Sequence, residues 1–200
     1  ITLLDYKPYF TIYDSSDQLS LVKKVVQTLG INDKLYPPKN FQARISNAKM
    51  NGQTPESIKK NNRNFMDPKT LEVYSAYEEA IKKANALDFD DLLLKTHELF
   101  NMYPDLLLDY QKKFKFIMVD EYQDTNHIQY LLVKQLAHYH RNVCVVGDED
   151  QSIYSWRGAD IQNILDFEKD FTEAKTVKLE ENYRSSHNIV QAATAVIKNN

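Results

Sequence analysis

The sequence predicts an α/β protein in two unequal parts, a helical subdomain followed by part of a parallel sheet. Three observations predict it. Before about Phe114 the apolar residues recur at three- and four-residue spacing, the period of amphipathic helices. From Phe116 onward, short apolar runs alternate with helical stretches, the order that builds a parallel sheet with crossover helices. The first two of those runs end in paired acids or in glycine and acids, where open α/β folds present charge to a ligand.

The elements follow in chain order. Asp17 can cap a first helix that runs to Leu29 and stops at Gly30. Pro37 and Pro38 break the chain, and Phe41 to Lys49 forms a short helix. Asn51-Gly52-Gln53-Thr54-Pro55 reads as a turn, with Thr54 capping a helix that begins at Pro55. Asn61 to Pro68 is polar and loop-like, and is expected to be the most mobile stretch. Lys69 to Ala86 carries Leu71, Tyr74, Tyr77 and Ile81 on one helical face. Phe89 to Phe100 and, after Pro104, Asp105 to Lys113 continue that period. Then come a strand at 116–119, a helix near 126–138, a strand at 142–146, a helix near 160–168, a strand at 176–179 and a closing helix near 187–198, with Ser185 or Ser186 as its N-cap. No repeat or low-complexity segment interrupts the series.

With 42% hydrophobic residues the 200-residue chain can bury a core, as one or two domains. A single cysteine, Cys144, excludes a disulfide framework; its apolar strand predicts an inert core thiol. There is no signal peptide and no apolar run of membrane-spanning length, so the expectation is a cytoplasmic protein with no membrane partner. A net charge of −3 on its own argues against a dedicated DNA-binding protein. Yet Lys23, Lys24, Lys34, Lys39, Arg44, Lys49, Lys59, Lys60, Arg63 and Lys69 crowd the first third. They are either a local basic surface for phosphate backbones or solvated helical faces.

Three segments carry chemistry. FIMVDEYQDTN (Phe116 to Asn126) delivers Asp120 and Glu121 at a strand end. One carboxylate there can hold a magnesium ion and the next can deprotonate an attacking water; the alternative is a pair of solvated acids before a helix N-terminus. NVCVVG (Asn142 to Gly147) is a second strand, running into Gln151, Tyr154, Trp156 and Arg157. Glutamine can sense a terminal phosphate and aromatics can stack on unpaired bases; the alternative is that Tyr154 and Trp156 plug a local core and Arg157 pairs with a nearby acid. LEENYRSS (Leu179 to Ser186) places Arg184 where a phosphate could meet it, or where it pairs with Glu180 or Glu181.

The order DEYQDTN, VVGDEDQSIYSWRGADIQNI, LEENYRS resembles motifs II, III and IV of superfamily 1 DNA helicases of the UvrD/Rep/PcrA type. LDFDDLL (Leu87 to Leu93) and FTIYDSSDQL (Phe10 to Leu19) resemble further segments of that family, so the likeness covers nearly the whole chain. It implies that residues 1–114 are a helical domain 1B, that 115–178 are the second half of a RecA-like domain 1A, and that 179–200 open domain 2A. It also implies an internal segment of a longer ATP-dependent 3′→5′ helicase that couples ATP hydrolysis to stepping along single-stranded DNA, in repair or replication, acting at single/double-strand junctions. Two other readings stay open: the helicase part of a RecB- or AddA-type helicase–nuclease, or a DNA-binding module that hydrolyses nothing.

By the same resemblance Asp120 holds Mg2+, Glu121 is the general base, Gln151 contacts the γ-phosphate, Arg184 stabilises the transition state and Tyr183 stacks on adenine. Tyr154 and Trp156 stack on DNA bases, Arg157 links the DNA loop to the ATP site, and Phe89 contacts a base. Phe89 can equally be a core residue on the first turn of its helix.

The four glycines, Gly30, Gly52, Gly147 and Gly158, belong to no GxxxxGK[ST] phosphate loop, so the P-loop strand of a RecA-like sheet is expected to be absent from this chain. Without that loop the β- and γ-phosphates lack most of their ligands, so the 200 residues alone should hydrolyse no ATP above background. Steady-state turnover that disappears in a Glu121→Gln variant would contradict this.

Overall fold

The computed structural model describes residues 1–60 and 66–198 and gives a mixed α/β fold with two short parallel sheets. Of the loop expected at Asn61 to Pro68, residues 61–65, with Arg63, lie outside the described residues, and Pro68 already begins a helix. After a 3-10 turn at Thr2–Leu4, strand β1 (Thr11–Tyr13) leads to helix α1 (Ser15–Thr28). The cap of α1 is Asp14, not Asp17. Asp14 Oδ1 accepts from the N–H groups of Ser16 and Asp17 at 2.7 and 2.9 Å, and the Asp17 carboxylate accepts from the Asp14 N–H in return. Once Asp14 satisfies those donors, Ser15 to Asp17 are free to join the helix. Gly30 ends it at φ +66, as expected.

Pro38 opens α2 (Pro38–Met50) in the first turn, where an N–H would have no acceptor within the helix. Thr54 caps α3 (Pro55–Lys60) as expected, its Oγ1 accepting from Ser57 N at 3.1 Å. Asp67 caps α4 (Pro68–Lys83) through Thr70 N. The face of α4 that carries Val73, Tyr74, Tyr77 and Ile81 packs with Val22 and Val26 of α1 and Phe41 and Ile45 of α2 into the main core. Each such side chain contributes about 1.5–3 kcal/mol by leaving water.

The first part is not wholly helical. Strand β2 (Ala86–Asp88) pairs in parallel with β1, Thr11 opposite Ala86 and Tyr13 opposite Asp88. Three-residue strands are too short to show a period of two, so the sequence pattern hides them. Helices α5 (Phe89–Met102) and α6 (Pro104–Lys113) follow.

Strand β3 (Ile117–Val119), helix α7 (His127–Ala137) and strand β4 (Val143–Val145) form the expected parallel pair with its crossover helix. Three expectations fail here. The helix near 160–168 is broken into α8 (Gln162–Leu165) and α9 (Phe167–Asp170). Phe167 stacks on Phe171 at 4.7 Å and meets the buried Tyr122 edge-on, which turns the chain at Asp166. No strand forms at 176–179: Val177 and Leu179 are exposed and have no neighbouring strand to pair with among the described residues. Cys144 is exposed, because it lies opposite Met118 on the uncovered face of the two-stranded sheet. The last helix, α10 (His187–Ile197), starts after Ser186 and buries nothing.

Lys49, grouped above with the basic surface, is 0% exposed. Its Nζ lies 2.7 Å from Asp91 Oδ1, 2.9 Å from Asp88 Oδ2 and 2.8 Å from Glu78 Oε1, and 5.0 Å from the Tyr77 ring centre. Tyr77 and Gln18 also donate to Asp88 Oδ2, so β2 and helices α1, α2, α4 and α5 meet at this point. Burial opposes charge on Lys49, but Glu78, Asp91 and Asp88 outweigh it and hold its pKa well above the ordinary value. Lys95 also reaches Glu78, at 3.3 Å, but the three carboxylates still outnumber the two lysines. Burial, reinforced by Glu78 and Asp88, pushes Asp91 up to about 7 against the pull of Lys49.

The sign follows directly. A carboxylate whose pKa rises on folding takes up a proton, so its contribution fades as pH rises from about 4 through 7. Lys49→Met removes the cation and should raise the pKa of Asp88 and Asp91, which it holds down. It should cost about 3–5 kcal/mol in urea unfolding at pH 8, the usual loss when one partner of a buried ion pair is removed, and clearly less at pH 5. Equal losses at both pH values would contradict this account of the cluster.

Candidate active site

The site is built by the hydrogen bonds at the C-terminal ends of β3 and β4. Val146 N donates to Val119 O at 2.8 Å, and Tyr122 N donates to Val146 O at 2.9 Å. Both bonds fall on Val146, so the two residues between Val119 and Tyr122 are looped out of the ladder. Those residues are Asp120 and Glu121, both exposed. Glu121 sits in the left-handed region at φ +50, a conformation that costs a non-glycine residue of the order of 1–2 kcal/mol. Its N–H donates to Asp120 Oδ1 at 2.9 Å, which helps hold the turn.

Beneath this turn lies Gln123, 1% exposed. Its Nε2 donates to Glu121 Oε2 at 2.9 Å, and its Oε1 accepts from Asp148 N at 3.1 Å. Asp148 Oδ2 then accepts from Gln151 Nε2 at 2.6 Å. Glu121 and Gln151, predicted from segments thirty residues apart, are thereby joined through two intermediates. Neither intermediate was singled out from sequence. The only signal was that Gln123 lies two residues after the acids, on a turn too short for a helix.

The two loops are tied again further along. Asn163 Nδ2 donates to Thr125 O at 2.9 Å and Asp160 N donates to the same carbonyl at 2.9 Å. Asn126 and Ala159 form an antiparallel bridge. Gly158, at φ +84, rests on α2: a Cβ there would meet Met50 Sδ at 2.9 Å.

The aromatic loop is not a core plug. Trp156 is 71% exposed on a 3-10 turn (Ser155–Arg157), with the Tyr154 ring 6.4 Å away and tilted. The Arg157 side chain lies outside what the structure describes. Phe89 is the first residue of α5 and is 59% exposed, so it is not a core residue either. Tyr183 and Arg184 are exposed and are not brought to the Glu121–Gln151 chain. Their polar contacts are local: the Tyr183 hydroxyl donates to Glu181, and Arg184 N donates to Asn182 Oδ1. Among the described residues no cluster of three or more His, Cys, Asp or Glu could hold a metal alone, and no helix is long and apolar enough to cross a membrane. Exposed carboxylates on a strand end, joined to a glutamine and flanked by outward-facing aromatics, suit an anionic ligand held with a hydrated cation and a flat apolar one beside it.

Residues 1–172 match the UvrD/REP helicase N-terminal domain. The chain is 52% identical over 191 residues to the ATP-dependent DNA helicase PcrA of Staphylococcus epidermidis, and 51% identical to the protein of that name from Staphylococcus aureus. Each alignment covers 96% of this chain and 26% of the relative, so the chain spans about a quarter of their length.

Proposed function

This chain belongs to the UvrD/REP helicase family, and we propose that it supplies part of the ATPase site and part of the DNA-binding surface of a 3′→5′ DNA helicase. The observation that carries the proposal is the Glu121–Gln123–Asp148–Gln151 chain of hydrogen bonds, which joins a looped-out carboxylate pair to Gln151. The substrate is ATP with Mg2+. Asp120 suits the metal: one of its oxygens accepts from Glu121 N, and magnesium is usually held by one or two carboxylates, waters and substrate phosphates rather than by a full protein cage. When bound, the ion neutralises charge on the phosphates.

Glu121 acts as the base. Its Oε2 is held by Gln123 and its Oε1 remains to take a proton from the attacking water. Gln151 contacts the γ-phosphate. Arg184 and Tyr183 belong to the start of the next domain, 179–200, and reach the nucleotide from across the domain gap to stabilise the transition state and stack on adenine. Residues 1–114 form domain 1B and 115–178 part of domain 1A. Phe89, Tyr154 and Trp156 stack on single-stranded bases, and Arg157 links their loop to the ATP side. DNA repair or replication in the cytoplasm, at single/double-strand junctions, is the setting that fits. What favours a plain helicase over a helicase–nuclease is that DEYQDTN and DEDQSIYSWRGAD run as in the UvrD/PcrA type.

Two outcomes test this in the full-length protein. Glu121→Gln should leave ATP binding nearly intact and lower kcat at least about a hundredfold, the usual worth of a positioned base. A fall of less than about threefold would remove Glu121 from that role.

Trp156→Ala should weaken binding to single-stranded DNA by about 1–3 kcal/mol with little dependence on base identity. DNA-stimulated ATPase should fall with it, while basal ATPase and melting temperature change little. A large stability loss with matching losses in both activities would make Trp156 a structural residue instead.

A further inference from the structure

We propose that Gln123 is a positioning residue that aims Glu121 and locks it to the loop carrying Gln151; the inference rests on the reading of Glu121 as the base. Both ends of the Gln123 amide are used, and for opposite purposes. Its N–H donates to a Glu121 oxygen at 2.9 Å, and its carbonyl accepts from the Asp148 backbone at 3.1 Å. A primary amide supplies a neutral donor and an acceptor on one side chain. The amide is buried, so water does not substitute for either bond without rearrangement.

The seat of the amide is shaped for it. A Cβ at Gly147 would stand 2.6 Å from Gln123 Oε1 and 2.8 Å from Ile164 Cδ1, closer than real side chains come. Glycine at the end of β4 is therefore what lets the amide lie between the two loops. With one Glu121 oxygen tied down, the other is left without a bond to this amide on an exposed, left-handed turn. Because Asp148 also holds the Gln151 side chain at 2.6 Å, a displacement of Gln151 on meeting a phosphate moves the Asp148 backbone, the amide and the carboxylate together. Gln123 thus connects nucleotide sensing to the aim of the base without touching substrate.

The test is steady-state ATPase of the full-length protein, with saturating oligothymidylate, for Gln123→Met, Gln123→Glu, Glu121→Gln and the double variant Glu121→Gln with Gln123→Met. Gln123→Met should lower kcat at least about tenfold while KM for ATP stays within about threefold, the signature of an interaction used in the chemical step. Gln123→Glu should lose at least as much, because it keeps the acceptor for Asp148 N–H but turns the donor to Glu121 into a like charge. In the Glu121→Gln background, Gln123→Met should cost less than about twofold more, since residues that act as a unit are not additive. A merely structural glutamine would cost the same factor in both backgrounds, which would overturn the inference whatever happens to stability. A large loss in Glu121→Gln with near-normal Gln123→Met would overturn it alone. Near-normal turnover in Glu121→Gln would overturn the base assignment and this inference with it.

Discussion

The fully buried ammonium of Lys49 is the contact on which the helical part depends. A lone buried cation would cost several kcal/mol, and the structure offsets that cost by gathering Glu78, Asp88 and Asp91 within 3 Å from α4, β2 and α5. Asp88 and Asp91 also form the capping box that starts α5, so charge neutralisation and helix initiation use the same two side chains. The next residue along α2, Met50, lies against Gly158 at the end of the aromatic loop, and Gly52 lies against Ile128 and Leu131 of α7. The turn of α2 that holds the buried charge is therefore also the surface on which the second half of the chain rests.

In that second half, two parallel strands of three residues each would be marginal alone. They serve because the chain returns to Val146 twice, which forces Asp120 and Glu121 out of the ladder, and because Gln123, Thr125 and Asn163 bond the loops to each other. The carboxylates are presented by what they are excluded from. The strained conformation of Glu121 is sustained by its neighbours rather than by its own preference.

Much of this was legible in the sequence wherever a period or a cap was present. The spacing of Tyr74, Tyr77 and Ile81 marked the core face of α4, Thr54 and Gly30 marked helix ends, and apolar runs closed by DE and by glycine marked β3 and β4. What was missed depends on partners distant in the chain. Gln123 has its meaning only through Asp148, and Lys49 only through Asp88 and Asp91. Lys49 did carry a signal: Phe41, Ile45 and Ala48 are buried, and Lys49, four residues past Ile45, falls on the same face. A lysine on an apolar stripe calls for acids elsewhere, and LDFDD held them. Strand expectation failed at 176–179 because apolar composition makes a strand only where a neighbour supplies its hydrogen bonds.

The central claim is that the carboxylate turn and the aromatic loop form one unit with a phosphate on one side and unpaired bases on the other. An experimental structure of the full-length protein with a non-hydrolysable ATP analogue, Mg2+ and oligothymidylate tests it most directly. The account predicts a Glu121 oxygen within about 2.6–3.2 Å of a water in line with the γ-phosphate, Gln123 still bonded to both Glu121 and Asp148, and a base stacked on Trp156. A nucleotide bound away from Asp120 and Glu121, or Trp156 turned into the protein with no base on it, would contradict it.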